Sequence, residues 1–330
     1  MKAVPFFEHG SLDVLQYCEF PDPAADKDIV VDVEYCGVNH LDIWTRMGIP
    51  GKKILLPHIC GCDIVGTLKG QRVMVYPGIS CDRCQYCNSG HENLCNEFAI
   101  IGGMSDWNGG YAEKVAVPAR NVIKIPKALK SESAATLAVS YLVAWNMLKA
   151  NGAGRSKTIL VYGAASGVGM ATIQLAMALG AKVITTVSSG KHEFAKKLGA
   201  DRVIDKTSQN IVEEVKRISP TGVDIVVDHV GAATWPTSIA VLRQGGRMAV
   251  CGMTSGNEAK VPVRVFYSKQ ILMTGALLGT RGELQELIRF VVRKKIRPVI
   301  DSIFPLKDAK EAHKKMEANL HKGKILLSCR

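Results

Sequence analysis

The stretch from Thr158 to Leu277 restricts the fold more than any other part of the chain, because short apolar runs alternate there with amphipathic segments. TILVYG, KVITTV, RVIDK, DIVVDHV, GRMAVCG and ILMTGAL read as buried strands. Between them, GMATIQLAMALG, HEFAKKLG, IVEEVKRI and TSIAVLRQ have helical apolar spacing. Apolar strands joined through helices are the pattern of a parallel sheet, since each crossover must return the chain along the same direction. Earlier residues have another texture. DIVVDVEYCGV, CDIVGTL, QRVMVYPG, YAEKVAVP and NVIKIP are strand-like runs punctuated by Gly, Pro and Asp, as in an irregular β domain. SESAATLAVSYLVAWNMLK reads as a helix, and after a further helix over GELQELIRFVVRKK comes a mixed tail, PVIDSIFPL, DAKEAHKKMEANL and GKILLSC. The expected division is a β domain over 1–130, an α/β domain over 131–294 and a returning segment over 295–330. Neither an internal repeat nor a low-complexity stretch interrupts it.

Composition excludes several classes. With 330 residues, 47% hydrophobic and 22% charged, the chain has the length and makeup of a two-domain globular protein. No apolar run reaches the ~20 residues of a membrane span, and MKAVPFFEHG lacks a signal-peptide apolar region. Ten cysteines outside a secretory context suggest a reducing cytoplasm, where clustered cysteines bind metal or catalyse. The net charge of +12 is spread over KALK, KHEFAKKLG, VVRKKIRP and AHKKMEANLHKGK, with only 6% aromatics. That distribution reads as solvated helix faces, with a residual pull on anionic ligands. A specific nucleic-acid partner and a membrane partner are therefore not expected. His9, His313 and His321 read as surface residues.

The run TILVYG leads into Gly163, Ala164, Ala165, Ser166, Gly167, Val168 and Gly169, which open a helix. Glycines between a buried strand and a helix let backbone N–H groups approach a pyrophosphate. The spacing G-x3-G-x-G is a variant of the usual dinucleotide fingerprint. An enzyme for NAD places an acid at the end of the next strand to bind the ribose 2′-hydroxyl. Between Ala164 and His192 there is no acid; VITTV leads instead to Ser188, Ser189, Gly190 and Lys191. Hydroxyls and a cation suit a 2′-phosphate, so NADPH is expected rather than NAD. The loop at His229 and Val230, and Gly252 after the following strand, complete the expected cofactor contacts.

Residues 80–95, SCDRCQYCNSGHENLC, carry Cys81, Cys84, Cys87 and Cys95 in the spacing C-x2-C-x2-C-x7-C. Thiols at every third residue, with a fourth after a short loop, suggest a metal.

YCGVNHLD, LPHICGCD, the cysteine lobe, GAASGVGMATIQLAMALGA, VVDHVGA and GALLGTRGEL together resemble the medium-chain dehydrogenase/reductase family, over essentially the whole chain. The resemblance implies a GroES-like β domain plus a Rossmann domain of α/β class, with the active site in the cleft between them. It also implies homodimers or homotetramers paired through late strands such as ILMTGAL. Zinc alcohol dehydrogenases of that family hold a structural zinc in a lobe with this cysteine spacing. Four thiolates fill a tetrahedral shell and leave no position for water or substrate. A ferredoxin-type cluster would end C-x3-C-P, whereas here Asn96 follows the fourth cysteine.

The family's catalytic zinc is another matter. Its ligand positions, carried onto this sequence, fall on Asn39, Cys62 and Val139, and its proton-relay threonine falls on Leu41. One ligand of three is too few for an open zinc site. The segment from Asn39 to Asp42, with Ile43, Trp44 and Arg46, resembles instead the N-x-x-D segment of the zinc-free quinone oxidoreductase branch. Those relatives pass hydride from NADPH to a quinone or an enone or enal, where hydrogen bonds can stabilise the charge that conjugation delivers to oxygen. By that resemblance Asn39 would line the nicotinamide pocket as a hydrogen-bonding group, Asp42 would fix the loop, and Trp44 would line the cleft. Arg46 would steer or balance charge. Three alternatives stay open. One is a zinc alcohol dehydrogenase with atypical ligands, such as His58 or His40 with Cys62. The others are a non-catalytic NADPH sensor and a turn-capping role for Asn39.

Overall fold

The computed structural model describes residues 1–24, 28–49 and 51–330. Two compact units divide it, one of Met1–Leu142 with Thr280–Arg330 and one of Val143–Gly279.

In the first unit, β1 (Ile29–Gly37) is followed by Asn39 and helix α1 (His40–Met47). Strands β2 (Asp63–Leu68), β3 (Gln71–Val75), β4 (Lys114–Val117) and β5 (Val122–Lys124) complete the N-terminal part of one sheet. β1 pairs antiparallel with β2 and β4, and β3 lies between β2 and β5. Helix α1 turns Asp42 and Arg46, one helical turn apart, into the unit, and both are buried. The expected helix over 131–149 is broken into Ser131–Ala134, a π-helical turn at Leu137–Tyr141 and Leu142–Ala150.

The second unit is a six-stranded parallel sheet. Its elements run β6 (Thr158–Val161), α2 (Gly167–Ala178), β7 (Lys182–Val187), α3 (His192–Lys197), β8 (Arg202–Asp205), α4 (Ile211–Ile218), β9 (Val223–Asp228), α5 (Trp235–Val241), β10 (Leu242–Val250), α6 (Val263–Ser268) and β11 (Leu272–Gly275). The spatial order is β8-β7-β6-β9-β10-β11. This is the doubly wound Rossmann order, with the reversal between β6 and β9. Leu160, Ile184, Val226 and Met248 are buried at the centre of its core. The expected helix over TSIAVLRQ stops at Val241; Leu242, Arg243 and Gln244 begin β10 instead.

The chain then returns to the first unit through α7 (Arg281–Lys294), β12 (Ile300–Pro305), α8 (Ala309–Glu317) and β13 (Lys324–Ser328). β13 pairs antiparallel with β1, placing Leu326 opposite Gly37, and parallel with β12. The units therefore divide at Leu142/Val143 and Gly279/Thr280, where texture suggested 130 and 294. The physical reason is packing. Ser131–Ala134 rests on β1 and β2, and the π turn rests on β2 and α7, so both segments belong to the β unit.

Candidate active site and cysteine lobe

In the second unit, Ser166 caps α2, its Oγ accepting the Gly169 N–H at 2.9 Å and donating to the Gly163 carbonyl at 2.9 Å. A Cβ on Gly169 would stand 2.2 Å from the Gly163 oxygen, and Gly163 has φ +60°, so both positions require glycine. The Gly163 and Ala164 amides are tied to Thr186 of β7. The first-turn amides of Gly167 and Val168 have no intrahelical acceptor, the arrangement in which a helix N-terminus can donate to an anion. Ala165, within the same turn, is buried. At the end of β7, Val187 is buried, Ser188 is half-buried, Ser189 is exposed and Lys191 precedes α3. Asp205 lies beside Val187 across the sheet, and its carboxylate is held by the Thr207 amide at 2.9 Å and hydroxyl at 2.6 Å.

His229 follows β9. Its Nε2 lies 2.7 Å from the Tyr162 carbonyl and 3.3 Å from Ser166 Oγ. The Val230 carbonyl accepts from the Ser255 amide, Ser255 Oγ and Thr254 Oγ1. Gly252, at φ +76°, passes so near His229 that a Cβ would stand 2.9 Å from its carbonyl oxygen. The loops after β6, β9 and β10, which carry Gly163–Gly169, His229 with Val230, and Gly252, thus come together.

In the first unit, Asn39 is buried and its amide is committed to protein. Nδ2 donates to the Gly37 carbonyl at 3.2 Å and to Asp63 Oδ2 at 3.0 Å. Oδ1 accepts from Lys324 Nζ at 2.7 Å and from Ser140 Oγ at 3.4 Å. Two donors and two acceptor positions are an asparagine's whole capacity, so Asn39 has none left for a ligand. This differs from its expected place as a hydrogen-bonding wall. Lys324, 2% exposed, also donates to the Val38 carbonyl at 2.9 Å and to Asp63 Oδ2 at 2.8 Å. Asp63 Oδ1 accepts the Val139 amide at 2.7 Å.

Asp42, fully buried, accepts the Asn39 amide at 2.7 Å, the Gly61 amide at 3.2 Å and the Tyr111 hydroxyl at 3.0 Å. Burial pushes its carboxyl up to about 7 against those donors. From Tyr111 the chain of contacts continues through His313, Arg46 and Glu317. Arginine only donates, so His313 Nδ1 accepts and its Nε2–H points to Tyr111. His313 and His321 are both buried, against their expected surface positions. Trp44 does not join Asn39 and Asp42. It is half-buried on another face of α1, its ring 6.3 Å from that of His40.

The four lobe sulfurs, Cys81, Cys84, Cys87 and Cys95, all lie within 4.8 Å of one another, with 3.5 Å from Cys84 to Cys87 and 3.9 Å from Cys81 to Cys87. Zn–S bonds of about 2.3 Å in a tetrahedron put sulfurs about 3.8 Å apart, so the set fits zinc. The Arg83 and Cys84 backbone amides bring the Cys81 thiol down to about 7, favouring the thiolate a metal needs. The lobe is anchored to α7, where the Arg281 amide donates to Glu92 Oε1 at 2.6 Å.

The second metal position does not fit. Of its three aligned residues, Asn39 is saturated, Val139 offers only a backbone N–H to Asp63, and burial pushes the Cys62 thiol well above its ordinary range. The Lys324 ammonium already supplies the positive charge. Among the described residues, the lobe cysteines are the one His/Cys/Asp/Glu group that converges like metal ligands.

Residues 25–127 match the alcohol dehydrogenase GroES-like domain model, and residues 167–293 match the zinc-binding dehydrogenase model. An alcohol dehydrogenase of Geobacillus stearothermophilus is 30% identical, over 91% of each chain. The chain belongs to the zinc-type alcohol dehydrogenase group of the medium-chain dehydrogenase/reductase superfamily. A human quinone oxidoreductase is 26% identical, over 95% of this chain and 93% of that one. The solved structure of an NAD-dependent alcohol dehydrogenase superimposes with a TM-score of 0.94 at 35% identity, covering 99% of both chains. This member is accordingly an NAD(P)H-dependent oxidoreductase. Sequence reasoning missed Asp63, Tyr111, Lys324 and the inward side of His313. One signal was available: a lysine inside GKILLS sits in an otherwise apolar strand and needs a buried partner.

Proposed function

We propose that the chain is an NADPH-dependent reductase that passes hydride to a quinone, an enone or enal, or a carbonyl, and works without a catalytic zinc. The observation that carries this reading is the Lys324 ammonium, bonded to Asn39 Oδ1 and Asp63 Oδ2 among the aligned ligand positions. When bound, the reduced nicotinamide supplies the hydride. In a conjugated acceptor the negative charge moves to oxygen, where hydrogen bonds suffice without a Lewis acid.

The protein's own part begins with the Gly167 and Val168 amides, which receive the pyrophosphate. Ser188, Ser189 and Lys191 receive the 2′-phosphate, and the apolar Val187 stands where an acid would repel it. Asn39 and Asp42 act by holding the 37–42 loop in place. Trp44, with His40, offers an aromatic face to the acceptor. Cys81, Cys84, Cys87 and Cys95 hold a zinc that shapes the lobe and does no chemistry. The partners we propose are a small-molecule substrate and a second copy of the chain, in a homodimer or homotetramer joined at β11. That edge strand exposes Leu272, with Leu277 just beyond it. Among the described residues no helix is long and apolar enough to cross a membrane, and a reducing cytoplasm suits ten cysteines that form no disulfide.

A second reading has its own support. The similar proteins include alcohol dehydrogenases named as NAD-dependent. Steady-state kinetics separate the two. The proposed enzyme reduces a quinone or enal with kcat/KM at least tenfold higher for NADPH than NADH, and Lys191→Glu reverses that order. Zinc-dependent alcohol oxidation with NAD overturns the proposal, and cofactor binding without turnover on any acceptor points to a sensor.

A further inference from the structure

We propose that His229 is a positioning residue for the dinucleotide: its imidazole holds the glycine loop after β6 in the shape that receives the pyrophosphate. The inference rests on reading that loop as the pyrophosphate site.

The direction of the bonds follows from their partners. The Tyr162 carbonyl can only accept, so the hydrogen of His229 is on Nε2, shared between that carbonyl at 2.7 Å and Ser166 Oγ at 3.3 Å. Those two groups flank Gly163. A Cβ at Gly163 would meet the imidazole Cε1 at 3.4 Å, so the ring lies directly against the turn. Ser166 is itself the cap that takes the Gly169 amide. The contact therefore reaches the first turn of α2, where the free amides are.

The ring is held from its own side as well. Asp228, fully buried, accepts the Val230 amide at 3.0 Å, the Gly231 amide at 3.2 Å, Thr234 Oγ1 at 2.9 Å and Ser238 Oγ at 2.7 Å. With the backbone on either side fixed, the imidazole has little freedom. The His229 carbonyl abuts Gly252 after β10, so this one residue ties three strand ends together. Burial keeps the ring below the ordinary histidine range and hence neutral near pH 7. A loop already ordered in the free protein binds its anion without first giving up conformational freedom.

The test is the dissociation constant of NADPH and NADH, by titration of the full chain, for three replacements of His229. His229→Phe fills the volume without the N–H and should weaken both cofactors roughly tenfold, the loss expected from one hydrogen bond. His229→Gln places an amide N–H near the Nε2 position and should stay within about threefold. The Phe effect should fall on cofactor KM and leave kcat nearly as it was. His229→Leu serves where the Phe variant does not fold. Equal cofactor affinity in the wild-type, Phe and Leu proteins overturns the inference. Gly169→Val is the control on the underlying reading: if it binds cofactor normally, the loop is not the pyrophosphate site at all.

Discussion

The cysteine lobe and the Asn39–Asp63–Lys324 cluster lie in the same unit, yet their polar groups are in opposite states. The lobe sulfurs converge with spacings that suit tetrahedral zinc, and backbone amides favour the Cys81 thiolate. In the buried cluster every donor meets an acceptor of the protein itself. Asn39 spends its whole amide, and Lys324 spends all three ammonium hydrogens on Val38, Asn39 and Asp63. A metal site is thus more than residue type; it requires lone pairs that nothing else has taken. One region presents four thiols arranged to receive a cation, and the other is arranged around a cation the chain supplies.

The strongest way to break that comparison is Lys324→Met. It leaves the Asp63 side chain buried without its ammonium partner, which costs about 3–5 kcal/mol. Urea titration should show a large fall in midpoint, partly recovered when Asp63→Asn is added. If Lys324→Met alone is neutral, the cluster is not self-compensated as described.

A smaller effect sharpens the same contrast through pH. The Asp42 carboxyl is raised from 3.8 to about 7 in the folded state, so its contribution is fully present below about pH 4 and lost as pH rises through 7. His313 runs the other way. Burial and Arg46 lower it from 6.5 to about 3, so its contribution is present above 6.5 and lost as pH falls toward 3. Between about 4 and 6.5 the two slopes oppose each other. Asp42→Asn should make stability climb more steeply with pH over that window, and His313→Gln should flatten it. Parallel changes in both variants would contradict the assignment.

How much of this was legible depended on sequence distance. The lobe is written in a single stretch, Cys81 to Cys95, and the Rossmann sheet in the alternation of buried strands with helices. The Lys324 cluster is not local. Its members come from the end of β1, the start of β2, the π turn and the start of β13, and only the pairing of β13 with β1 brings Lys324 to Asn39. Asn39 was legible as a special position but not in its state, because saturation depends on partners as far as 285 residues away. His313 was misjudged for a different reason. The lysines around it suggested a solvated helix, but Ala309, Ala312, His313 and Met316 share the buried stripe of α8. The helical spacing carried that signal, and the composition of the segment masked it.

Zinc content per chain, measured on the protein purified and dialysed without chelator, tests the central claim most directly. The account predicts one zinc per chain, lost in Cys84→Ser and retained in Cys62→Ser and Asn39→Ala. Two zincs per chain, with one lost on changing Cys62, would contradict it.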